Sequence, residues 1–185
     1  DEEFKNGLQT IRSTGKGLLA FVESYRKFTR IPTPEPSLFY LKTFIERMVE
    51  LAKHQNACNN IVFHTNITPP DLILYADENL ISQVMINLLK NAVQAINNHD
   101  KGIIEISAFC NTKDEIFIDV SNNGPQIPQE VAEQIFVPFF TTKKEGSGIG
   151  LSLSRQIMRL SGGNLNLIST GNQPDLNTTF RLRFK

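Results

Sequence analysis

The sequence has no tryptophan, only two cysteines and only three histidines in 185 residues, and the shortage of cysteine and histidine bears on metal binding. Cys58 and Cys110 do not form a CxxC pair, and His54, His64 and His99 do not repeat at a ligand spacing. Zinc sites are built from such clusters. The sequence therefore argues against a cysteine–histidine metal site, and two isolated cysteines are typical of reduced structural thiols in the cytosol.

An excess of one charge and long apolar runs are also missing. Nineteen basic residues balance nineteen acidic residues, so the formal net charge is zero, and no basic block stands out. Nucleic-acid binding depends on a basic surface that neutralises phosphates, so we expect no nucleic-acid partner. No apolar run reaches the roughly 18 residues of a membrane-spanning helix, and no signal peptide opens the chain. We therefore expect a cytoplasmic segment without membrane contact.

The first 30 residues have the pattern of one helix from a bundle. Apolar or small residues recur at steps of three and four, as on the seam of a coiled coil. This seam consists of Leu8, Ile11, Gly15, Leu18, Val22 and Tyr25. The pattern ends at Ile31–Pro36, where three prolines in five residues cannot continue a helix. Residues 1–30 are therefore predicted to be part of a helical bundle, and residues 31–36 a stiff, extended linker.

Residues 37–185 alternate between helical and strand patterns. Ser37 is placed as the N-cap of a helix over 38–55, and Asp77 as the N-cap of a long helix that ends near Ile96. Further helices are expected at 129–134 and 148–160, and strands at 61–63, 72–75, 103–108, 116–120, 164–169 and 178–184. Helices interleaved with a mostly antiparallel sheet predict an α+β fold, a two-layer α/β sandwich.

Two asparagines lie four positions apart on the long predicted helix. Asn87 and Asn91 therefore share one face, beside an apolar stripe that runs from Ile81 to Ala92. A carboxamide oxygen is a hard, neutral ligand, suited to a Mg²⁺ ion that takes its negative ligands from phosphates. On its own, such a pair is more often the ordinary polar flank of a helix.

A second polar position follows the strand predicted at 116–120. Val120, Asn122 and Gly124 share one side of the extended chain, whereas Asp119 points to the other side. Gly124 begins a Gly-Pro turn at which the backbone can approach a flat ligand closely. Asn122 is then placed to accept a hydrogen bond from the exocyclic amine of a base, although a polar turn alone explains the same residues.

The third stretch is a glycine-rich loop at residues 146–150, directly before a predicted helix. Backbone N–H groups at the start of a helix bind phosphate. The loop lacks the Gly-Lys-Ser/Thr ending of a Walker A motif, and no parallel βαβ unit leads into it, as a Rossmann site requires. Lys143 and Lys144, just upstream, are either phosphate ligands or solvated lid residues.

In this order and spacing, the three stretches resemble the ATP-binding catalytic domain of two-component sensor histidine kinases, within the gyrase and histidine-kinase (Bergerat-fold) ATPase superfamily. The resemblance covers residues 37–185. Asn87 and Asn91 match the N box, Asn122 and Gly124 the G1 box, Phe136, Phe139 and Phe140 the F box, and Gly146, Gly148 and Gly150 the G2 box. Thr179 is similar to the threonine that closes the base pocket.

The resemblance implies Mg²⁺ and ATP as ligands, with Asn91 as the Mg²⁺ ligand. The implied nucleotide-binding residues are Asn87, Asn91, Asn122, Gly124, Ile127, Phe136, Phe140, Thr142, Lys143, Gly146, Ser147, Gly148, Ile149, Gly150, Leu151 and Thr179. The implied catalytic residues are Asn87, Asn91 and Lys143. Hydrolysing members of the superfamily carry a glutamate general base at the position of Asn87. An amide cannot take a proton from water, so phosphoryl transfer to a histidine is favoured over hydrolysis.

Residues 1–30 resemble the second helix of the dimerisation and phosphoacceptor bundle that precedes this domain in such kinases. The implied reaction passes the γ-phosphoryl group of ATP to a bundle histidine, and then to an aspartate of a response-regulator receiver domain. None of the three histidines lies in a helical His-Glu/Asp-x-x-x-Pro context, so the phosphoacceptor is expected on a first bundle helix that these residues do not include. The full-length protein is expected to be a homodimer, with any inner-membrane anchor elsewhere in the parent chain.

Three positions depart from the family pattern. Asn122 replaces the aspartate that binds the adenine amine, Gln126 replaces the second glycine of the G1 box, and Asn177 stands where a glycine often occurs. Loss of the aspartate charge is expected to cost about 1–2 kcal/mol, or about tenfold in ATP affinity. The alternative function is therefore a non-catalytic nucleotide-binding or signalling scaffold weakened at Asn122. A third hypothesis is a changed base preference, with the amide donating to a guanine oxygen.

Overall fold

The computed structural model describes residues 2–55, 60–96, 101–143, 146–168 and 175–185. Cys58, His99 and Lys144 lie outside the described residues. In chain order the elements are α1 (Glu2–Thr29), β1 (Ser37–Tyr40), α2 (Leu41–Gln55), β2 (Ile61–Thr68), β3 (Ile73–Ala76), α3 (Glu78–Ile96), β4 (Gly102–Cys110), β5 (Ile116–Asn122), α4 (Gln129–Ala132), α5 (Gly150–Leu160), β6 (Asn164–Ile168) and β7 (Thr178–Phe184).

The main sheet has five strands in the order β2-β4-β5-β7-β6. β2 and β4 run parallel, and each of the other neighbouring pairs is antiparallel. Apolar residues on one face of this sheet, such as Ile104, Val120 and Leu182, join the buried faces of α2, α3 and α5 in one core. The predicted α+β fold, a two-layer sandwich of helices on a sheet, is confirmed.

The long helix α3 lies in the centre of the helical layer, where it contacts α2, α5, β4 and β5. The stripe predicted from Ile81 to Ala92 is buried, as its period of three and four positions requires. Asn87 and Asn91 lie at the edge of that stripe. Burial of the stripe therefore fixes the rotation of α3, and with it the direction of both amides.

Asp77 caps α3 as predicted and also fixes the end of the linker. Its Oδ1 accepts hydrogen bonds from the backbone N–H groups of Asn79 (3.0 Å) and Leu80 (3.1 Å). Its Oδ2 accepts a hydrogen bond from the backbone N–H of Glu35 (2.9 Å). The bond from Glu35, followed by those from Leu80 and Asn79, holds the pKa of the Asp77 carboxyl below its usual value against the opposing effect of burial.

The helix predicted over 38–55 is wrong at its start. Ser37–Tyr40 is strand β1, which pairs antiparallel with β3, and α2 begins only at Leu41. A strand here depends on a partner more than 30 positions away in the sequence, which local propensity does not encode. For the same reason β2 extends to Thr68 instead of ending near Phe63, because β4 pairs with its whole length.

The helix predicted for residues 1–30 is present as α1, and its apolar seam is exposed. Leu8, Leu18, Val22 and Tyr25 each keep at least half of their surface accessible. Residues 30–36 form neither helix nor strand. No helix within the described ranges is long and apolar enough to cross a membrane.

Asp77→Ala is expected to lower the free energy of unfolding by about 1–2 kcal/mol, because it removes the α3 cap and the contact with Glu35. Asp77→Asn is the matched variant. It keeps one oxygen for the α3 N–H groups, so its free energy of unfolding should fall by less than that of Asp77→Ala. Urea unfolding followed by circular dichroism measures both.

The pH dependence of stability gives a second measurement on the same residue. A carboxyl whose folded-state pKa is lowered stabilises the fold above its unfolded-state pKa of about 3.9. This contribution disappears as the pH falls through the lower folded-state value. The stability difference between the wild type and Asp77→Asn should therefore shrink below about pH 4; a difference that stays constant down to pH 2 would contradict the assignment.

Candidate nucleotide-binding site

A cavity of about 800 Å³ lies between α3, the end of β5 and the start of α5. It is closed on one side by the segment that follows α4. The residues lining it are Asn87, Lys90, Asn91, Gln94, Ala95, Asn122, Pro125, Gln126, Ile127, Pro128, Val131, Ile135, Phe140, Thr141, Thr142, Lys143, Gly146, Ser147, Gly148, Gly150, Leu151, Thr178 and Phe180. The three stretches singled out in the sequence therefore meet around one space.

A neighbouring groove of about 910 Å³ shares residues 126–128 and Thr178 with this cavity. Its wall includes Phe136, over whose ring the Arg155 guanidinium lies 3.5 Å from the centroid. The groove contains neither the α3 asparagines nor the glycine-rich loop. The smaller cavity is therefore the one in which the three stretches singled out in the sequence converge.

Asn87 joins α3 to the start of α5. Its Nδ2 donates a hydrogen bond to Ser154 Oγ (3.0 Å). A Cβ at Gly150 would overlap Asn87 Oδ1, so a larger residue there would displace the Asn87 amide. This close approach brings the first turn of α5 against the asparagine face of α3.

Asn91, one helical turn further along α3, is bonded to Lys143 from the opposite wall. Lys143 Nζ donates to Asn91 Oδ1 (3.1 Å) and to Gln94 Oε1 (2.6 Å). Burial, and after it the nearby charge of Lys90, lowers the pKa of Lys143. Both of these acceptors are neutral amide oxygens, and none of the ion pairs within the described ranges involves Lys143. Its charge is therefore available to an anionic ligand.

The glycine-rich loop turns sharply before α5. Gly148 has φ +66°, and a Cβ there would overlap the backbone of Phe139. Phe139, whose own φ is +69°, donates its backbone N–H to Gly148 O (2.9 Å). The N-cap residue of α5, Ile149, makes no side-chain cap hydrogen bond. Within the described ranges, the first N–H groups of α5 make no hydrogen bond to an acceptor outside the helix, which is the arrangement that binds phosphate.

Asn122 closes the other end of the cavity. Its side chain is 3% exposed, and its Oδ1 accepts the backbone N–H of Gly124 (3.0 Å). A Cβ at Gly124 would come within 2.9 Å of Ala95 on α3, so glycine is required for this turn too. Asn177 Nδ2 donates to Gly124 O (3.0 Å) and ties the turn to β7.

The prediction of Thr179 as the pocket threonine is wrong by one position. Across the β5–β7 ladder Asn122 faces Thr178, whereas Thr179 faces Ser121, with their hydroxyl oxygens 2.8 Å apart. Successive residues of a strand point to opposite faces, so Thr179 lies on the far side of the sheet. Thr178 lines the cavity instead.

Three other predicted residues shape the site without lining the cavity. Gly124 forms the turn beside Asn122, and Ile149 is buried under the start of α5. Phe136 packs edge-on against Phe180 with ring centroids 6.3 Å apart. The remaining predicted nucleotide-binding residues all line the cavity: Asn87, Asn91, Asn122, Ile127, Phe140, Thr142, Lys143, Gly146, Ser147, Gly148, Gly150 and Leu151.

Sequence reasoning missed several lining residues on α3. Gln94 and Ala95 lie three and four positions after Asn91, so helical periodicity would have placed them on the same face. Val131, Ile135 and Phe180, which form apolar walls, carry no such signal because they come from separate elements.

With this geometry in place, comparison with known proteins gives the family. Residues 76–185 match the family described as histidine kinase-, DNA gyrase B- and HSP90-like ATPases. The chain belongs to this family. The match begins at the last residue of β3 and includes every residue of the cavity described above.

The similar proteins are sensor histidine kinases. Sensor histidine kinase ZraS of Escherichia coli O157:H7 is 35% identical over 131 residues, which are 70% of this chain and 28% of ZraS. A solved structure of the catalytic domain of histidine kinase ThkA is 34% identical with a TM-score of 0.70, and the alignment covers 81% of this chain and 95% of that domain. The chain is therefore a sensor histidine kinase catalytic domain of the HATPase family.

A second solved structure extends the similarity to the N-terminal helix. Histidine kinase ThkA in complex with the response regulator protein TrrA is 28% identical with a TM-score of 0.72, covering 98% of this chain and 51% of that chain. The chain spans only about a quarter of the length of curated relatives such as ZraS (28%). It therefore corresponds to one part of those longer proteins.

Gly148→Ala is expected to destabilise the domain more than Gly162→Ala does. Both glycines have positive φ, at +66° and +71°, but a Cβ at Gly162 meets open space. Gly162→Ala should therefore lower the free energy of unfolding only by the cost of placing alanine in the left-handed conformation, about 1 kcal/mol. Gly148→Ala should lower it further, because its Cβ must also displace Phe139. Urea unfolding gives the two free energies, and calorimetry with Mg·ATP should show weaker binding only for Gly148→Ala. Equal losses would contradict the close packing of the loop.

Proposed function

We propose that this chain is the ATP-dependent kinase core of a two-component sensor histidine kinase. It binds Mg·ATP, transfers the γ-phosphoryl group to a histidine of a helical bundle, and so supplies the aspartate of a response-regulator receiver domain. Residues 37–185 are the ATP-binding domain, residues 31–36 the linker, and residues 1–30 the second helix of the bundle. The proposal is supported most directly by the chemistry of the cavity wall.

The part of the cavity wall that the structure describes has no side chain suited to activate water. None of the described lining residues is aspartate, glutamate or histidine, and the position of a hydrolytic glutamate is taken by Asn87. Its Nδ2 already donates to Ser154, and an amide cannot act as a general base. A phosphate acceptor that is itself a nucleophile, such as a neutral imidazole, needs no such base. The wall therefore favours transfer over hydrolysis.

Asn91 fits the role of Mg²⁺ ligand. Its Oδ1 accepts a hydrogen bond from the ammonium of Lys143, so this oxygen points into the cavity and can act as a ligand for a cation. With no carboxylate among the described lining residues, the negative ligands of a metal would come from the phosphates. Mg²⁺ bound there would neutralise charge on the transferring phosphoryl group.

The remaining residues of the phosphate end act by position and charge. Lys143, held between Asn91 and Gln94, is directed to the same space as the open N–H groups of α5. Catalysis of phosphoryl transfer consists largely of alignment and electrostatic stabilisation. Lys143, Asn87 and Asn91 are therefore the catalytic residues of the proposal, since they contact or position the phosphates.

The N-terminal helix supports dimer formation in the full-length protein. The exposed residues of its apolar seam, among them Ile11 (70% exposed) and Leu18 (61% exposed), have no covering partner within the described chain. A helix with such a face is stabilised by packing against other helices. We assign it to a homodimeric bundle in the parent protein. The complex of the relative ThkA with a response regulator supports the assignment of that partner class, and a cytoplasmic location follows from it.

The alternative is a nucleotide-binding or signalling scaffold that no longer uses ATP efficiently. The observation in its favour is Asn122, whose oxygen is already bonded to Gly124. Calorimetry with Mg·ATP separates the two functions. Absence of binding by the wild type, with recovery in Asn122→Asp, would favour the scaffold.

Phosphoryl transfer can be tested directly on this chain. When it is mixed with Mg·ATP labelled at the γ-phosphate and a histidine-bearing bundle from a related sensor kinase, the label is expected on the bundle, in an acid-labile bond typical of phosphohistidine. Asn91→Ala should reduce the labelling rate by about a hundredfold, as loss of a metal ligand does. Release of inorganic phosphate with an unlabelled bundle would contradict the proposal.

Lys143→Met is expected to weaken Mg·ATP binding by about tenfold, because a charge-assisted bond to phosphate contributes roughly 1.5–3 kcal/mol. Lys42→Met removes the same charge from an exposed position on α2 and should leave binding unchanged. Binding is measured by calorimetry at low ionic strength. Equal effects of the two substitutions would show that only net charge matters.

A further inference from the structure

The orientation of the Asn122 amide is fixed by its neighbour in the turn. The backbone N–H of Gly124 lies 3.0 Å from Oδ1 and needs an acceptor. With the amide turned round, its NH₂ group would face that N–H, donor against donor, which is unfavourable in a side chain that is only 3% exposed. The oxygen of the amide is therefore the atom that accepts the hydrogen bond from Gly124 in the turn.

The NH₂ group of the Asn122 amide faces the cavity. Nδ2 of Asn122 has no hydrogen-bond partner within the described ranges. The fully buried side-chain atoms that lack a partner there are Gln156 Oε1 and Ser161 Oγ, and Asn122 Nδ2 is not one of them. It therefore keeps contact with solvent, and Asn122 lines the cavity. A donor, not an acceptor, is presented to the base.

This polarity differs from that of an aspartate at the same place. A carboxylate has acceptors at both corners, so one oxygen can serve the Gly124 N–H and the other the amino group of adenine. With asparagine, the second corner is an NH₂ group that meets the adenine amine as donor against donor. The oxygen at C6 of guanine or hypoxanthine is an acceptor in the position of that amine.

The surroundings add little that could reverse this preference. Around the base end the wall includes the apolar side chains of Ala95, Ile127 and Phe180, together with the amide of Gln126 and the hydroxyl of Thr178. The hydroxyl of Thr178 already donates to Pro125 O at 3.4 Å, and a hydroxyl can donate or accept. Asn122 is therefore the group that selects between an amino and an oxo substituent.

From these observations we infer that Asn122 makes this site accept 6-oxopurine nucleoside triphosphates at least as tightly as ATP. The inference rests on the proposed function, because it concerns the base subsite of the same Mg·nucleotide site. It identifies Asn122 as a specificity-determining residue, and it does not affect the phosphate end.

Calorimetric titration of the intact chain with the Mg²⁺ complexes of ATP, inosine triphosphate and GTP tests the inference. Inosine triphosphate is the decisive probe, because its base has the C6 oxygen without the additional amino group of guanine. It is expected to bind at least as tightly as ATP. Asn122→Asp should shift the ratio of dissociation constants towards ATP by about tenfold or more, since a buried polar mismatch has that size.

The controls separate the base contact from folding and charge. Asn66→Asp makes the same chemical change on the exposed part of β2 and should leave the ratio unchanged. Thermal unfolding of Asn122→Asp reports whether the variant is folded, and the ratio measured for the wild type is independent of that variant. ATP bound tenfold more tightly than inosine triphosphate by the wild type would overturn the inference, because the second lone pair of Oδ1 would then serve adenine.

Failure of the inference differs from failure of the proposed function. If ATP binds and is used for phosphoryl transfer while the 6-oxopurines bind weakly, only the base assignment is wrong. If none of the three nucleotides binds, the proposed function fails and the inference fails with it.

Discussion

The site depends on the close approach of α5 to α3. At Gly150 the backbone of α5 lies so near Asn87 that a Cβ there would overlap the amide, and Asn87 also donates a hydrogen bond to Ser154 on α5. Core packing between the two helices and these contacts together set the separation between the asparagine face and the N–H groups at the helix start. The asparagines and the helix start can converge on one ligand because this separation is fixed by packing, and side chains in a packed core have few alternative positions.

A second constraint, on the register between β5 and β7, comes from the face of the sheet that points away from the helices. Asp119 and Arg181 form a two-pronged ion pair, with Nε and Oδ1 2.7 Å apart and the second pair of atoms 2.6 Å apart, and this contact raises the pKa of Arg181. Both residues lie on the sheet face away from the helices. A register shift of one residue between β5 and β7 would break this pair and move Asn122 away from Thr178. The ion pair on the outer face is therefore consistent with the same β5–β7 register that places Asn122 opposite Thr178.

The described wall of the cavity contains no acidic side chain. Amides from Asn87, Asn91, Gln94 and Asn122 are among its polar groups, and Lys143 contributes positive charge between two amide oxygens. Neutral amides do not activate water, because an amide cannot act as a general base. This explains how a fold shared with ATP-hydrolysing enzymes can favour transfer, and why a single amide at the base end has so large a predicted effect on selectivity.

The sequence by itself determined the features that local periodicity and capping encode: the buried stripe of α3, the cap at Asp77, the common face of Asn87 and Asn91, and the glycines before α5. These follow from repeats within one element, whose geometry is the same in any fold. Only the tertiary structure decided that residues 37–40 form a strand, that Thr178 and not Thr179 faces the cavity, that Lys143 contacts Asn91, and that the oxygen of Asn122 is bonded to the N–H of Gly124. Each of these depends on a partner remote in sequence or on a hydrogen bond formed in the folded turn, and neither is specified by the order of residue types alone.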